Sequence, residues 1–335
     1  MSRRMFGAAA ASAVAFLTAM VVGLNPALAG LGAPTPGQLG LQLPATESMA
    51  HISSLYDIVN AIIIAIAAFV LVLLIYVMYR FSEKNNPTPS RTTHNTMLEV
   101  AWTIIPIMIL VAMAIPSFRL LYEQYSFPPP NVTIKATGNA WFWEHEYFLD
   151  GGKTVTVTSN GVSDEDVLAE KMGEKEFKAK FGELEGAARH SAIYDAAKPV
   201  WEERNDIRRM TVDQEIAVPV NQVVHMLVTS ADVIHAWTIP SFGVKMQAVP
   251  GRTAAVWFKA DKVGSYHGQC SVLCGKLHSA MPIVVRVVDE AVYKQWVDAL
   301  VAKDRKKAQQ ILKADAESHA QKNVAAAASL VGQSN

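Results

Sequence analysis

The sequence predicts a two-helix transmembrane hairpin joined to an all-β sandwich or barrel, and three patterns carry that prediction. Two apolar runs, Val59 to Tyr79 and Ala101 to Leu121, are each long enough for a helix of about 20 residues across a hydrocarbon core. Beyond Tyr125 the hydrophobicity falls, and short β-rich runs appear between Pro, Gly, Asn and Asp turns. The link between the apolar runs carries Arg80, Lys84 and Arg91 against Glu83 alone. By the positive-inside rule this link is cytoplasmic, and everything after Tyr122 lies outside.

In chain order, residues 1–29 read as a secretory signal: Arg3 and Arg4, an apolar stretch from Ala8 to Leu24, then Ala27-Leu-Ala29 before Gly30. Residues 30–54 form an external N-terminal segment and 55–123 the hairpin. Pro106 and Pro116 fall within the second span, where membrane helices tolerate proline better than soluble ones do. The β domain covers 124–289, with strand-like runs at Val132 to Thr137, Met210 to Val220, Val223 to Thr229, Thr253 to Phe258 and Met281 to Val288. A charged insert, 160–208, interrupts it; Asp164 to Glu185 alone holds eight acidic and four basic residues without a β pattern, which reads as a helical or mobile surface element. Residues 290–335 begin with a helical pattern (Val292, Trp296, Leu300) and end in an alanine-rich, frayed tail.

With 30 acidic and 30 basic side chains, the chain has the charge balance of neither a nucleic-acid binder nor an acidic-tail protein. No C-x-x-C-H motif marks an attached haem. The chemistry concentrates in Gln269-Cys-Ser-Val-Leu-Cys-Gly-Lys-Leu-His-Ser-Ala-Met-Pro282, which holds both cysteines of the chain, Cys270 and Cys274, then His278 and Met281. Thiolates, an imidazole and a thioether form a soft donor set that suits copper better than magnesium or calcium. A disulfide would use the cysteines and leave His278 and Met281 idle. Zinc could take two thiolates and two histidines but would leave the methionine unexplained. His235, in Asp232-Val-Ile-His235, is the best candidate for a second imidazole.

These residues resemble subunit II of haem-copper cytochrome c oxidases, from about Leu55 to Val288 and most weakly in the insert. Asp232-Val-Ile-His235, Val249-Pro-Gly-Arg252, Trp257-Phe-Lys-Ala-Asp261, Gly268-Gln-Cys-Ser271 and Met281-Pro-Ile-Val284 occur in the family's order. The resemblance implies a cupredoxin-like external domain with a binuclear copper A centre of two copper ions. Cys270 and Cys274 would bridge the metals, His235 and His278 would each serve one, and Met281 and the backbone carbonyl of Val272 would complete the set. It further implies an inner-membrane subunit of a bacterial oxidoreductase that accepts electrons from cytochrome c and passes them to haem in subunit I. Oxygen reduction and its coupled proton translocation then belong to subunit I and the other oxidase subunits, not to this chain alone.

By the same resemblance Trp141, in Gly138-Asn-Ala-Trp-Phe-Trp-Glu-His-Glu-Tyr147, is the electron-entry residue, while Trp143 and Tyr147 fit core packing equally well. Asp232 and Glu146 match docking positions for a lysine-rich cytochrome. Glu99 matches a proton-pathway entrance, though an acid at a helix start is favourable in any case. Val272 and Gln247 stand where the family has acidic residues, so a magnesium site is expected to be absent or built by subunit I alone. The competing expectations are a quinol-oxidase-type subunit II, which lacks the copper ligands, and a non-redox disulfide-stabilised domain on a membrane anchor. Removal of the insert is expected to leave folding and copper loading intact, since no candidate ligand lies within it.

Overall fold

The computed structural model describes residues 31–204 and 206–332, with side chains to residue 319, so the predicted signal at 1–29 lies outside the described residues. The chain divides into two units, a helical hairpin and a β domain.

In the hairpin, α1 (Glu47–Arg80) and α2 (Thr96–Gln124) are longer than the predicted spans. At 1.5 Å per residue each exceeds an apolar core of about 30 Å, so the polar ends reach the headgroups. The spanning stretches present apolar side chains all round and bury almost none of them, as lipid-facing helices should. Asn95 caps α2 by accepting from the N–H groups of Met97 and Leu98, and Glu99 lies in the first turn that follows. Where α1 begins and α2 ends, His51 Nδ1 meets the Glu123 carboxylate at 2.8 and 3.0 Å.

The β domain opens with β1 (Val132–Asn139), β2 (Phe142–Phe148) and β3 (Thr154–Asn160). The insert then supplies three helices, α3 (Asp164–Met172), α4 (Glu174–Phe181) and α5 (Gly186–Arg204). The chain returns to strands at β4 (Ile216–Pro219), β5 (Val223–Ser230), β6 (His235–Ile239), β7 (Val244–Ala248), β8 (Ala254–Lys259), β9 (Gly264–Gln269) and β10 (Pro282–Val288). It closes with α6 (Glu290–Val301) and α7 (Arg305–Gly332).

A five-stranded sheet runs β3-β2-β1-β5-β8, a three-stranded sheet β4-β10-β9, and β6 pairs with β7. The β1–β5 and β4–β10 pairs are parallel and the others antiparallel. In β2 and β5 alternate residues point inward, so Trp143, His145 and Tyr147 share the buried face of the sheet with Met226 and Val228. Strand β10 is buried along nearly its whole length, and the C-terminal helices pack against its neighbours β4 and β9, adding Trp296, Leu300 and Leu312 to the same core. Residues 31–36 and 41–46 strap the domain: Gly32 N–H donates to Ser241 Oγ, His267 N–H donates to the Gly32 carbonyl, and Thr46 bridges to Ala260.

Two expectations change, and a third, the helical or mobile insert, is narrowed. Of the predicted Met210–Val220 strand only β4 and an isolated bridge from Val212 to Gly161 form, since Arg209 turns left-handed (φ 65°) and the Asp213 carboxylate is taken by Asn160. The insert is helical and has its own apolar centre of Val167, Leu168, Phe177, Phe181, Ile193, Ala197, Val200 and Trp201. The tail expected to fray continues as helix to Gly332, in keeping with alanine's helix propensity.

Candidate metal centre

The cysteine loop leaves β9 at Gln269 and returns at β10, and its base is closed by Cys270 N–H donating to the Met281 carbonyl at 3.0 Å. This bond sets Met281, fully buried, beside Cys270. Within the loop, Gly275 has φ 115° and a Cβ there would lie 3.2 Å from the Trp141 ring, so backbone conformation and space both call for glycine. A single 3-10 turn, His278–Ala280, carries the loop's imidazole.

The two thiols are free and buried, 3.7 Å apart, too far for the ~2.05 Å sulfur–sulfur bond of a disulfide. His235 Nδ1 lies 3.9 Å from Cys270 Sγ, and the ligand atoms of His235, Cys270 and Cys274 all fall within 4.8 Å of one another. His278 Nδ1 lies 3.5 Å from Cys274 Sγ. The Val272 carbonyl points inward, 3.2 Å from Cys270 Sγ. Both histidines therefore turn Nδ1 toward sulfur, and all six predicted ligand residues stand together or are tied to those that do.

His235 is held from three sides. Its Nε2 bonds Asp232 Oδ1 at 2.9 Å, which puts the ring proton on Nε2 and leaves the Nδ1 lone pair facing the thiols. Trp143 packs edge-on at 5.9 Å between centroids. Gly138 leaves the room: a Cβ there would sit 2.8 Å from His235 Cδ2. Burial pushes the Asp232 carboxyl up, but hydrogen bonds from His235, Val233 N–H and Ala140 N–H outweigh it and hold it below the usual range. Burial, reinforced by Cys270, pushes the Cys274 thiol up to about 12. A metal entering here must therefore displace a proton, the ordinary condition for thiolate ligation.

Of the remaining predicted residues, Trp141 is half-buried and donates from Nε1 to the Cys274 carbonyl at 3.1 Å, while Trp143 and Tyr147 are core. Asp232 is committed to His235 as well as partly exposed, a role the sequence reading missed although the three-residue spacing could have suggested it. Glu146 shares its charge with Lys135 across β1 and β2 at 3.7 Å. Gln247 is exposed on β7, and Val272 brings only its carbonyl to the site. Gly138 and Gly275 also went unnoticed, since their need for close approach exists only in three dimensions.

Residues 34–120 match the family model for the transmembrane domain of cytochrome c oxidase subunit II, and 195–288 match the model for its periplasmic domain. The stretch 121–194, with most of the insert, lies between the two matches. Cytochrome c oxidase subunit 2 of Cereibacter sphaeroides is 38% identical over 270 residues, covering 80% of this chain and 82% of that protein. The corresponding Zea mays protein is 36% identical over 269 residues, covering 79% and 90%. A crystal structure of the periplasmic domain of subunit II of cytochrome oxidase from Bradyrhizobium japonicum is 36% identical, covers 53% of this chain and 99% of that one, and gives a TM-score of 0.38. Two membrane helices anchor the chain, with the β domain on the periplasmic side. By these matches and the arrangement of its sulfur and imidazole donors, the chain belongs to the cytochrome c oxidase subunit II family.

Proposed function

We propose that this chain is the electron-entry subunit of a cytochrome c oxidase, holding two copper ions between Cys270, Cys274, His235, His278, Met281 and the Val272 carbonyl. One observation carries the reading: two free thiols 3.7 Å apart are flanked by an imidazole Nδ1 on either side, 3.9 and 3.5 Å away. A disulfide would consume those thiols, and copper uses every soft donor present. When bound, the copper pair supplies a one-electron relay whose charge is spread over both metals.

The protein contributes a rigid frame and a short way in. The loop is closed at its base, and Asp232 and Trp143 fix the His235 ring, so little geometry changes with redox state. Trp141 is the entry residue: its indole is hydrogen-bonded to the carbonyl of a thiolate ligand and is partly exposed. Around it the ligand-bearing turns expose Val233, Ile234, Leu273 and Leu277, an apolar patch for close contact with cytochrome c. Asp232 and Glu146 add negative charge for steering a cationic partner. Glu99 is the proton-pathway entrance, and subunit I receives both electrons and protons. No magnesium is held through Val272 or Gln247, because neither side chain offers an anionic oxygen.

The test is absorption and EPR spectroscopy of the full-length chain loaded with copper in detergent. A purple, mixed-valence signal from two copper ions per chain is the expected result. A colourless zinc protein, or an oxidised cysteine pair that takes no copper, overturns the proposal.

A further inference from the structure

The helical insert holds no ligand, yet its exit reaches both ends of the copper loop. Helix α5 runs to Arg204, and the chain then turns at Ile207, whose carbonyl accepts from Met210 N–H and Thr211 Oγ1. Arg208 is locked to the insert by a two-pronged bond to Asp164, which also accepts from Trp201 Nε1 in the insert's own core. The next residue, Arg209, lies close enough to Asp164 to act on it through charge, but its hydrogen bonds go to the loop. Its carbonyl accepts from Gln269 Nε2 at 3.2 Å, immediately before Cys270, and its Nη1 donates to Ser279 Oγ at 3.2 Å, immediately after His278. His267 Nδ1 then bonds the Met210 carbonyl at 2.8 Å.

Two further observations single Arg209 out. Its φ of 65° lies in the left-handed region, which a residue bearing a Cβ occupies only when its surroundings hold it there. Arg189, Arg204 and Arg208 each hydrogen-bond a carboxylate, whereas the Arg209 guanidinium hydrogen-bonds Ser279 of the loop and acts on Asp164 through charge. Between insert and loop lies a cleft of about 550 Å³, lined among others by Asp164, Arg208, Arg209 and Leu277. Beside this cleft the loop is tied by discrete bonds at its base.

We propose that Arg209 is a positioning residue of the copper loop, clamping Gln269 and Ser279 so that Cys270, Cys274 and His278 are held at ligand spacing before metal arrives. The insert acts through it, since Asp164 and Trp201 fix Arg208 and thereby the turn that presents Arg209. The clamp acts on the loop of the copper reading and is testable without copper. Removal of the insert is then compatible with copper loading but not with normal copper retention.

The experiment uses the full-length chain with Arg209→Ala, Arg209→Lys, Ser279→Ala and the Arg209→Ala/Ser279→Ala double variant. In metal-free protein the alkylation rate of Cys270 and Cys274 is followed by mass spectrometry. Loss of one solvent-exposed hydrogen bond to a charged group should raise it about threefold in either alanine variant. The double variant should match the single ones, because both remove the same contact, and Arg209→Lys should restore most of the protection. Copper-loaded samples should release metal to a chelator faster by a similar factor, with an altered EPR hyperfine pattern. Unchanged thiol reactivity in the alanine variants, or full additivity in the double variant, overturns the clamp. Should Arg209→Ala not fold, Ser279→Ala on the exposed loop decides alone. A wild-type chain that takes no copper would defeat the copper reading and leave the thiol measurement standing.

Discussion

The β sandwich and the helical insert solve the same packing problem with different materials. The sandwich buries large aromatics, with Trp237, Phe258, Phe242 and Tyr266 stacked in series at 6.2, 4.8 and 4.7 Å between centroids. The insert has a smaller apolar centre and is laced by Asp164–Arg208, Glu165–Arg189, Glu170–Arg204 and Lys171–Glu203 ion pairs, with a Ser163–Asp166 capping box at the start of α3. Apolar burial is non-directional and is not weakened by ionic screening, whereas partly exposed ion pairs are screened by salt and local in reach. The metal loop is mounted on the first material and clamped by the second, so the two regions should fail separately.

The largest expected effect is confined to the loop. Cys270→Ser or Cys274→Ser should abolish the binuclear copper signal while leaving the sandwich's thermal transition in place, because the loop lies at the ends of β9 and β10 rather than inside the sheet. A retained wild-type EPR signal in either variant would break the bridging-thiolate assignment.

The next contrast sets Trp143→Ala against Trp201→Ala. Both tryptophans are buried, and truncation of such a side chain costs about 3–5 kcal/mol. In the sandwich the whole domain should lose that stability. In the insert the loss should stay local, so hydrogen exchange should rise in α3 to α5 and remain unchanged in β1, β2 and β5. Equal rises in both regions would show that insert and sandwich form one cooperative unit.

How much of this was legible in the sequence follows from the range of the forces involved. The spans and four of the five strand-like runs could be read because periodicity is local, and the six predicted ligand residues came from spaced motifs and the resemblance built on them. Strands β3, β6, β7 and β9 lie outside those runs, and in β6 and β7 five residues around His235 and Met246 have too little alternation to register. The Met210–Val220 run has strand-like composition, but Arg209 and Asp213 make non-local bonds that end the extended backbone before Ile216. The insert's charge concealed its core, because Phe177, Phe181, Ile193 and Trp201 come together only when three helices fold on one another. Asp232 was read as a surface charge; its spacing from His235 permits their bond, and the turn from Ser230 makes it.

Acid should reverse the order in which the two regions weaken. His145 is fully buried in the sandwich, accepts from Trp237 Nε1 on Nε2, and has its pKa lowered by burial to about 3. Between pH 6.5 and about 3 the unfolded chain binds a proton that the folded chain refuses, so stability is intact above 6.5 and falls with pH across that window. The limiting slope for this one group is about 1.4 kcal/mol per pH unit. Thermal melts of wild type and His145→Gln should therefore diverge below pH 6.5, with the variant less acid-sensitive; parallel curves would remove His145 as the cause.

The smallest effect separates the insert by salt and by a lower pH. Burial pushes the Asp164 carboxyl up, but hydrogen bonds from Arg208 and Trp201, with the nearby guanidinium charges, outweigh it and hold it below its ordinary 3.8. Its contribution is thus complete above the ordinary carboxylate pKa and lost only as pH falls through the lower folded value, after His145 has begun to weaken the sandwich. Asp164→Asn should cost about 1–2 kcal/mol of insert stability, since a partly exposed charge-assisted bond contributes at the low end of its range. The loss should be read as faster hydrogen exchange in α3 and α5, and it should shrink at high ionic strength because the wild-type pair is itself screened there. Through Arg208 and Arg209 the same substitution should also raise Cys270 and Cys274 reactivity slightly, by less than Arg209→Ala does. A large change in thiol reactivity with no change in α3 exchange would place the loop under some influence other than the insert.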